Sequence, residues 1–152
     1  MHLLKINICS IKQVREQQIN YAVPANIAVT DPSIVMDIVN TAFDVSNADR
    51  EYLGVIVLDT KNKIAGVHIV SMGTLSASVT HPREIFKLAV LNNAAGIILW
   101  HNHPSGDVAP SKEDLTLTDR IKAAGELMGI ALIDHIIVGA GTYYSFRQEG
   151  GL

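Results

Sequence analysis

An unbroken apolar run, AAGIILW (94–100), stops abruptly at His101-Asn102-His103-Pro104. The run is too short to cross a membrane and has the length of a strand, and its lack of polar alternation predicts burial on both faces. The next stretch is the most unusual of the chain, HNHPSGDVAPSKEDLTLTDR, which reads as a loop running into a helix that begins near Ser111. A buried strand that delivers two histidines into a loop constrains both the fold and the chemistry.

Elements on either side support a layered domain. TDPSIVMDIVNTAF predicts a helix: Asp31 or Ser33 can cap it, Pro32 suits its first turn, and Ile34, Ile38 and Val39 share a face. Residues 51–59 (EYLGVIVLD) and 64–71 (IAGVHIVS) are rich in β-branched residues and are separated by TKNK, the pattern of a hairpin. Pro82 opens a further helix, REIFKLAVLNNA. The helix from Ser111 carries Leu115, Leu117, Ile121, Ala124 and Leu127–Met128 and ends near Gly129. Two strands, IALIDHIIVG and TYYSFR, close the chain around the turn Ala140-Gly141. Residues 11–23, polar with interspersed Ile, Val and Tyr, read as an exposed strand. Helices alternating with apolar strands and a hairpin give an α/β or α+β sandwich, with the strand order not readable.

Composition narrows the function. In 152 residues, 48% are apolar and 18% charged, enough for one self-sufficient core and no sign of disorder. The net charge is −3 and the twelve Lys and Arg are dispersed, whereas sequence-independent nucleic-acid binding needs several cations on one face. Cys9 is the single cysteine, so no internal disulfide forms. The first residues, MHLLKINICSIKQ, hold too short an apolar stretch for a signal peptide, and no segment is long enough to span a membrane. The expected compartment is the cytoplasm.

His101 and His103 stand two apart at a strand end, so their side chains point the same way and both imidazoles can reach one ion. Pro104-Ser105-Gly106 turns the chain sharply, and the return path brings Asp114 back towards them. Two neutral imidazoles and a carboxylate leave a fourth tetrahedral position open, the arrangement of catalytic zinc, whose bound water has a pKa near ~7. A nearby carboxylate would accept that water's proton. Asp114 also has a plainer reading: with Ser111 as cap, it completes a capping box at the third helical position. Among the other histidines, His135 lies in an apolar strand and reads as a core residue or a partner of the metal ligands. His81 serves a turn before Pro82, His68 has no assignable role, and His2 is terminal. Asp107 could contact substrate or form a turn.

His101-Asn102-His103-Pro104, six residues, Ser111, two residues and Asp114 match His-x-His-Pro-x6-Ser-x2-Asp, the signature of the JAMM (MPN-domain) metalloproteases. With HNHPSGD, GTLSASVTHPREIFK, DHIIVG and YYSF, the chain resembles the RadC-like branch, a bacterial group named for DNA repair. The resemblance covers about residues 48–152, leaving 1–47 as an N-terminal strand and helix extension. It implies an α/β (α+β) fold, a mixed β-sheet flanked by helices in the MPN/cytidine-deaminase-like sandwich. It also implies Zn2+ on His101, His103 and Asp114, with Ser111 stabilising an oxyanion and Glu51 as acid/base. On chemistry alone Glu16, Glu84 and Glu113 rival Glu51, which opens the strand where the family places its glutamate. The implied activity is hydrolysis of a peptide or isopeptide bond in an unidentified peptide or protein substrate. The alternative is a DNA-repair or mobile-element accessory that binds nucleic acid or protein partners, and a third is a scaffold domain. Residues 1–47 show no helix-hairpin-helix pattern and little positive charge, which weakens the nucleic-acid alternative. Asn102 stands where ubiquitin-removing members have Ser or Thr, so their substrate does not carry over.

Overall fold

The computed structural model describes residues 7–23, 28–73 and 80–152. His2 and the segment 74–79 within GTLSASVTHPREIFK lie outside the described residues. The elements run α1 (Pro32–Phe43), a short 3-10 turn (Val45–Asn47), β1 (Glu51–Leu58), β2 (Ile64–Gly73), α2 (Pro82–Leu91), β3 (Gly96–Asn102), α3 (Lys112–Met128), β4 (Ala131–Val138) and β5 (Tyr143–Ser145).

One mixed five-stranded sheet, in the order β2-β1-β3-β4-β5, forms the middle layer. β1 pairs antiparallel with both β2 and β3, β3 runs parallel to β4, and β4 is antiparallel to β5. The parallel pair needs a crossover, and α3 supplies it. Every residue of the central strand β3 is buried, as its unbroken apolar run requires, and strand alternation divides its side chains between two cores. Ile98 and Trp100 face α1, together with Ile34, Val35, Ile38 and Val39 of that helix and with Ile56, Leu58, Ile136 and Val138 of neighbouring strands. Ile97 and Leu99 face α2 and α3, packing with Leu53, Val55, Val57, Ile85, Phe86, Leu117 and Ile121. The fold is an open mixed sheet flanked by three helices.

Local signals explain the element ends. α1 starts at Pro32 with Asp31 as its cap, whose carboxylate accepts from the Ser33 backbone N–H. α2 starts at Pro82 after His81, whose side chain makes no capping bond. α3 begins after Ser111 and stops at Gly129, whose φ of 69° is the left-handed conformation that glycine adopts without penalty. Its inward residues Asp114, Leu117, Thr118, Ile121 and Gly125 follow helical spacing. Leu115, about 200° round the helix from Leu117, is exposed, as are Leu127 and Met128. Gly54 lies opposite Trp100 in the β1–β3 ladder, and a Cβ there would run into the indole.

The strand expected over residues 11–23 does not form. These residues have no regular secondary structure, and Ile11 and Val14 are each 77% exposed. A strand is held by backbone hydrogen bonds to a neighbour, and the five-stranded ladder does not include this segment. Tyr21 and Val23 at its end pack against the core on the α1 side, but the interspersed Ile and Val before them supply β-propensity without a partner strand.

Candidate metal centre

The site lies where the C-terminal end of β3, the start of β1 and the first turn of α3 meet. Antiparallel register sets Leu53 opposite His101, which puts Glu51, two residues earlier on the same face, beside the strand end. His101, at position i+2 from Leu99, points into the α3 side of the sheet and is 1% exposed. His103 comes just beyond the strand. The loop turns through Gly106, which has a φ of 81° and donates its N–H to the His103 carbonyl at 2.9 Å. The chain then returns to Ser111 and Asp114.

These elements bring four side chains together. One ligand-type atom from each of Glu51, His101, His103 and Asp114 lies within 4.8 Å of all the others. His101 Nε2 is 3.0 Å from His103 Nε2 and 3.2 Å from Asp114 Oδ1, and His103 Nε2 is 3.5 Å from Asp114 Oδ2. An ion bound tetrahedrally at about 2.0–2.1 Å needs donors about 3.3 Å apart. The three separations straddle that value, and two imidazoles with one carboxylate are a fitting donor set for a small divalent cation. Among the described residues this is the one group of His, Cys, Asp and Glu side chains so arranged.

Asp114 closes the helix cap and also lies against the two histidines. Ser111 N and Ser111 Oγ both donate to Asp114 Oδ2 at 2.8 Å, and Asp114 N donates to Ser111 Oγ at 3.1 Å, a complete capping box. The same carboxylate faces the two imidazoles and is 2% exposed. Burial pushes its pKa up, but the adjoining His101 and His103 imidazoles outweigh this and hold it well below the usual carboxylate range. The hydrogen bond with Asp114 raises the His103 pKa despite partial burial.

Neighbouring groups orient these side chains. His103 Nδ1 lies 2.6 Å from the Asp107 carbonyl; a carbonyl has no proton to give, so Nδ1–H donates and the neutral ring carries its lone pair on Nε2. Asp107 itself forms a turn, its Oδ1 accepting from Ala109 N at 2.9 Å. His135 is fully buried and stacks on Phe146, with ring centroids 4.7 Å apart and planes 7° from parallel. Its Nε2 lies 2.9 Å from His101 Nδ1 and its Nδ1 lies 2.6 Å from Thr118 Oγ1. Burial pushes the His135 imidazole well below its ordinary pKa. His68 is remote from this group, half-buried, and hydrogen-bonded to the Asn92 side chain at 3.1 Å.

Asn102 stands out in the sequence only as a departure from other members, yet it ties the two halves of the site together. Its side chain points to the face opposite His101. Its Oδ1 accepts from Tyr52 N at 2.7 Å, and its Nδ2 donates to the carbonyls of Val45 and Arg50, each at 3.1 Å. The backbone on both sides of Glu51 is therefore pinned by the residue between the two histidines. Sequence reasoning also misses Thr118, although it lies one helical turn after Asp114 and so shares its face.

A family model described as the RadC-like JAB domain matches residues 29–152. A UPF0758 protein of Thermotoga maritima is 50% identical over 104 residues, 68% of this chain and 47% of that protein. Another, from Methanococcoides burtonii, is 46% identical over 101 residues, 66% of this chain and 44% of the relative. A third, from Pelobacter propionicus, is 48% identical over 123 residues, covering 81% and 53% respectively. The chain spans about half the length of these curated relatives. Among the described residues, no helix is long and apolar enough to cross a membrane.

Proposed function

The chain belongs to the RadC-like JAB-domain family, and from that premise we propose that it is a zinc-dependent metallohydrolase cleaving a peptide or isopeptide amide bond. The convergence of Glu51, His101, His103 and Asp114, with ligand atoms all within 4.8 Å of one another, carries this reading. His101, His103 and Asp114 would hold the ion, and three protein ligands leave a fourth position open, as in catalytic rather than structural sites. Zinc there would supply Lewis acidity, lowering the pKa of water from ~15.7 to about 7 and polarising the carbonyl under attack.

The chain's own residues would do the rest. Glu51, half-buried at the start of β1, would take a proton from the attacking water and pass it to the amine as the C–N bond breaks. The Ser111 hydroxyl, which donates to Asp114 Oδ2 at 2.8 Å, would turn about its Cα–Cβ bond to donate to the oxyanion instead. Asn102 would keep Glu51 in reach by gripping the backbone on either side of it. The partner is a peptide or protein segment, and the compartment proposed is the cytoplasm.

A pool of quenched fluorescent peptides, with isopeptide-linked members, tests this on zinc-loaded protein. Cleavage should be abolished by a chelator, restored by zinc, and reduced about 10²–10⁴-fold by Glu51→Gln with zinc content unchanged. A fully active Gln variant would make the base assignment wrong. Cleavage indifferent to metal removal would overturn the metallohydrolase reading.

A further inference from the structure

Three short contacts run through the buried core behind the metal centre: His101 Nδ1 to His135 Nε2 at 2.9 Å, His135 Nδ1 to Thr118 Oγ1 at 2.6 Å, and Thr118 Oγ1 to the Asp114 carbonyl at 2.7 Å. All three are hydrogen-bond distances, so each contact needs one proton between its two heavy atoms. The Asp114 carbonyl has none to give, so the Thr118 hydroxyl spends its only proton there, the i to i−4 bond that helical threonines make. Thr118 must then accept from His135, which places a proton on His135 Nδ1. A neutral imidazole carries one proton, so His135 Nε2 accepts, and the proton of the first contact belongs to His101 Nδ1. His101 is left with its lone pair on Nε2, the atom that faces His103 and Asp114.

We infer that Thr118 and His135 form a positioning relay that holds His101 in the tautomer whose Nε2 can bind a cation. The inference rests on the metal-centre reading above. The relay starts at the backbone of Asp114, passes through Thr118 and His135, and ends on His101. His103 reaches the same tautomer by a separate route, through the Asp107 carbonyl. Neutral imidazoles protonated at Nδ1 turn both lone pairs towards a carboxylate, and three acceptors so arranged favour a positive charge among them, either a cation or a proton in the 3.0 Å contact between the two Nε2 atoms. Reversing one bond of the relay would put a proton on His101 Nε2 and block that position. Phe146, stacked on His135, holds the plane of the His135 ring.

The test pairs Thr118→Val, which keeps the side-chain shape and removes the hydroxyl, with Thr118→Ser, which restores it. Zinc affinity is read by chelator competition, and ring tautomers by long-range nitrogen–proton NMR on zinc-free and zinc-loaded protein. The expected outcome is His135 and His101 both protonated at Nδ1 in the parent, a loss of affinity of about 10–100-fold in the Val variant, and recovery in the Ser variant. Unchanged affinity in the Val variant, no recovery with Ser, or His135 protonated at Nε2 would each overturn the relay. A parent that takes up no zinc would count against the proposed function instead. The tautomers of the zinc-free protein would still decide the relay.

Discussion

Two helices of this protein begin with an aspartate–serine cap, and they put the same chemistry to different ends. At the start of α1, Asp31 Oδ1 accepts from Ser33 N at 2.9 Å and from Ser33 Oγ at 2.6 Å. The hydrogen bond from Ser33 lowers the Asp31 pKa against a smaller opposing effect of burial. At the start of α3 the order is reversed: Ser111 is the cap, and Asp114 closes the box from the third helical position. Asp31 is only half-buried and serves its own helix. Asp114 is buried, and its Oδ1 lies 3.2 Å from His101. Capping a helix and lining a cluster of histidines are therefore compatible in one acid of a first helical turn. Backbone and hydroxyl donors satisfy one side of the carboxylate and hold it rigid, and the sheet decides what the other side meets.

The sharpest way to break this contrast is to truncate both acids. Asp114→Ala should lower zinc affinity by more than about 100-fold, beyond the range expected for loss of a group that only supports a ligand, while Asp31→Ala leaves it unchanged. Equal affinities in chelator competition would erase the distinction. Ser111→Ala should have a smaller effect, about 10-fold in affinity, because the Ser111 backbone N–H still holds Asp114. An affinity as low as that of Asp114→Ala would make Ser111 more than a support.

Acidity gives a third handle. Because the His103 pKa is raised above 6.5 in the metal-free fold, the protonated form stabilises that fold. This contribution is complete below about 6.5 and is lost as pH rises through the folded value. Zinc must displace the same proton, so its apparent affinity should climb over the same window above pH 6.5. Denaturant titration of the zinc-free protein should show the opposite slope, flattened in His103→Gln. A metal affinity flat across that window would contradict the coupling. The smallest effect is expected at α1, where Asp31→Ala should cost about 1 kcal/mol in denaturant unfolding. A loss of several times that would mean Asp31 does more than cap its helix.

The range of the interactions decides how much of this was legible in the sequence. Helix starts, the hairpin and the buried strand are written locally, in caps, prolines and runs of β-branched residues, and the structure has them where those patterns lie. His101, His103 and Asp114 were legible because strand parity and a short return loop bring them together within fourteen residues. Glu51 came from family resemblance, since only the β1–β3 register sets it beside the histidines. The bonds made by Asn102 and Thr118 are not legible for the same reason: their partners, Tyr52 and His135, are brought near by strand pairing and helix packing that no local pattern encodes. Residues 11–23 mislead in the opposite sense, with strand-like composition and no place in the ladder.

The most direct measurement is the metal content of the purified protein beside a His101→Ala/His103→Ala variant that remains folded. About one zinc per chain in the parent and none in the variant is the predicted result for a three-ligand site. A parent that stays empty after zinc is supplied would contradict the account.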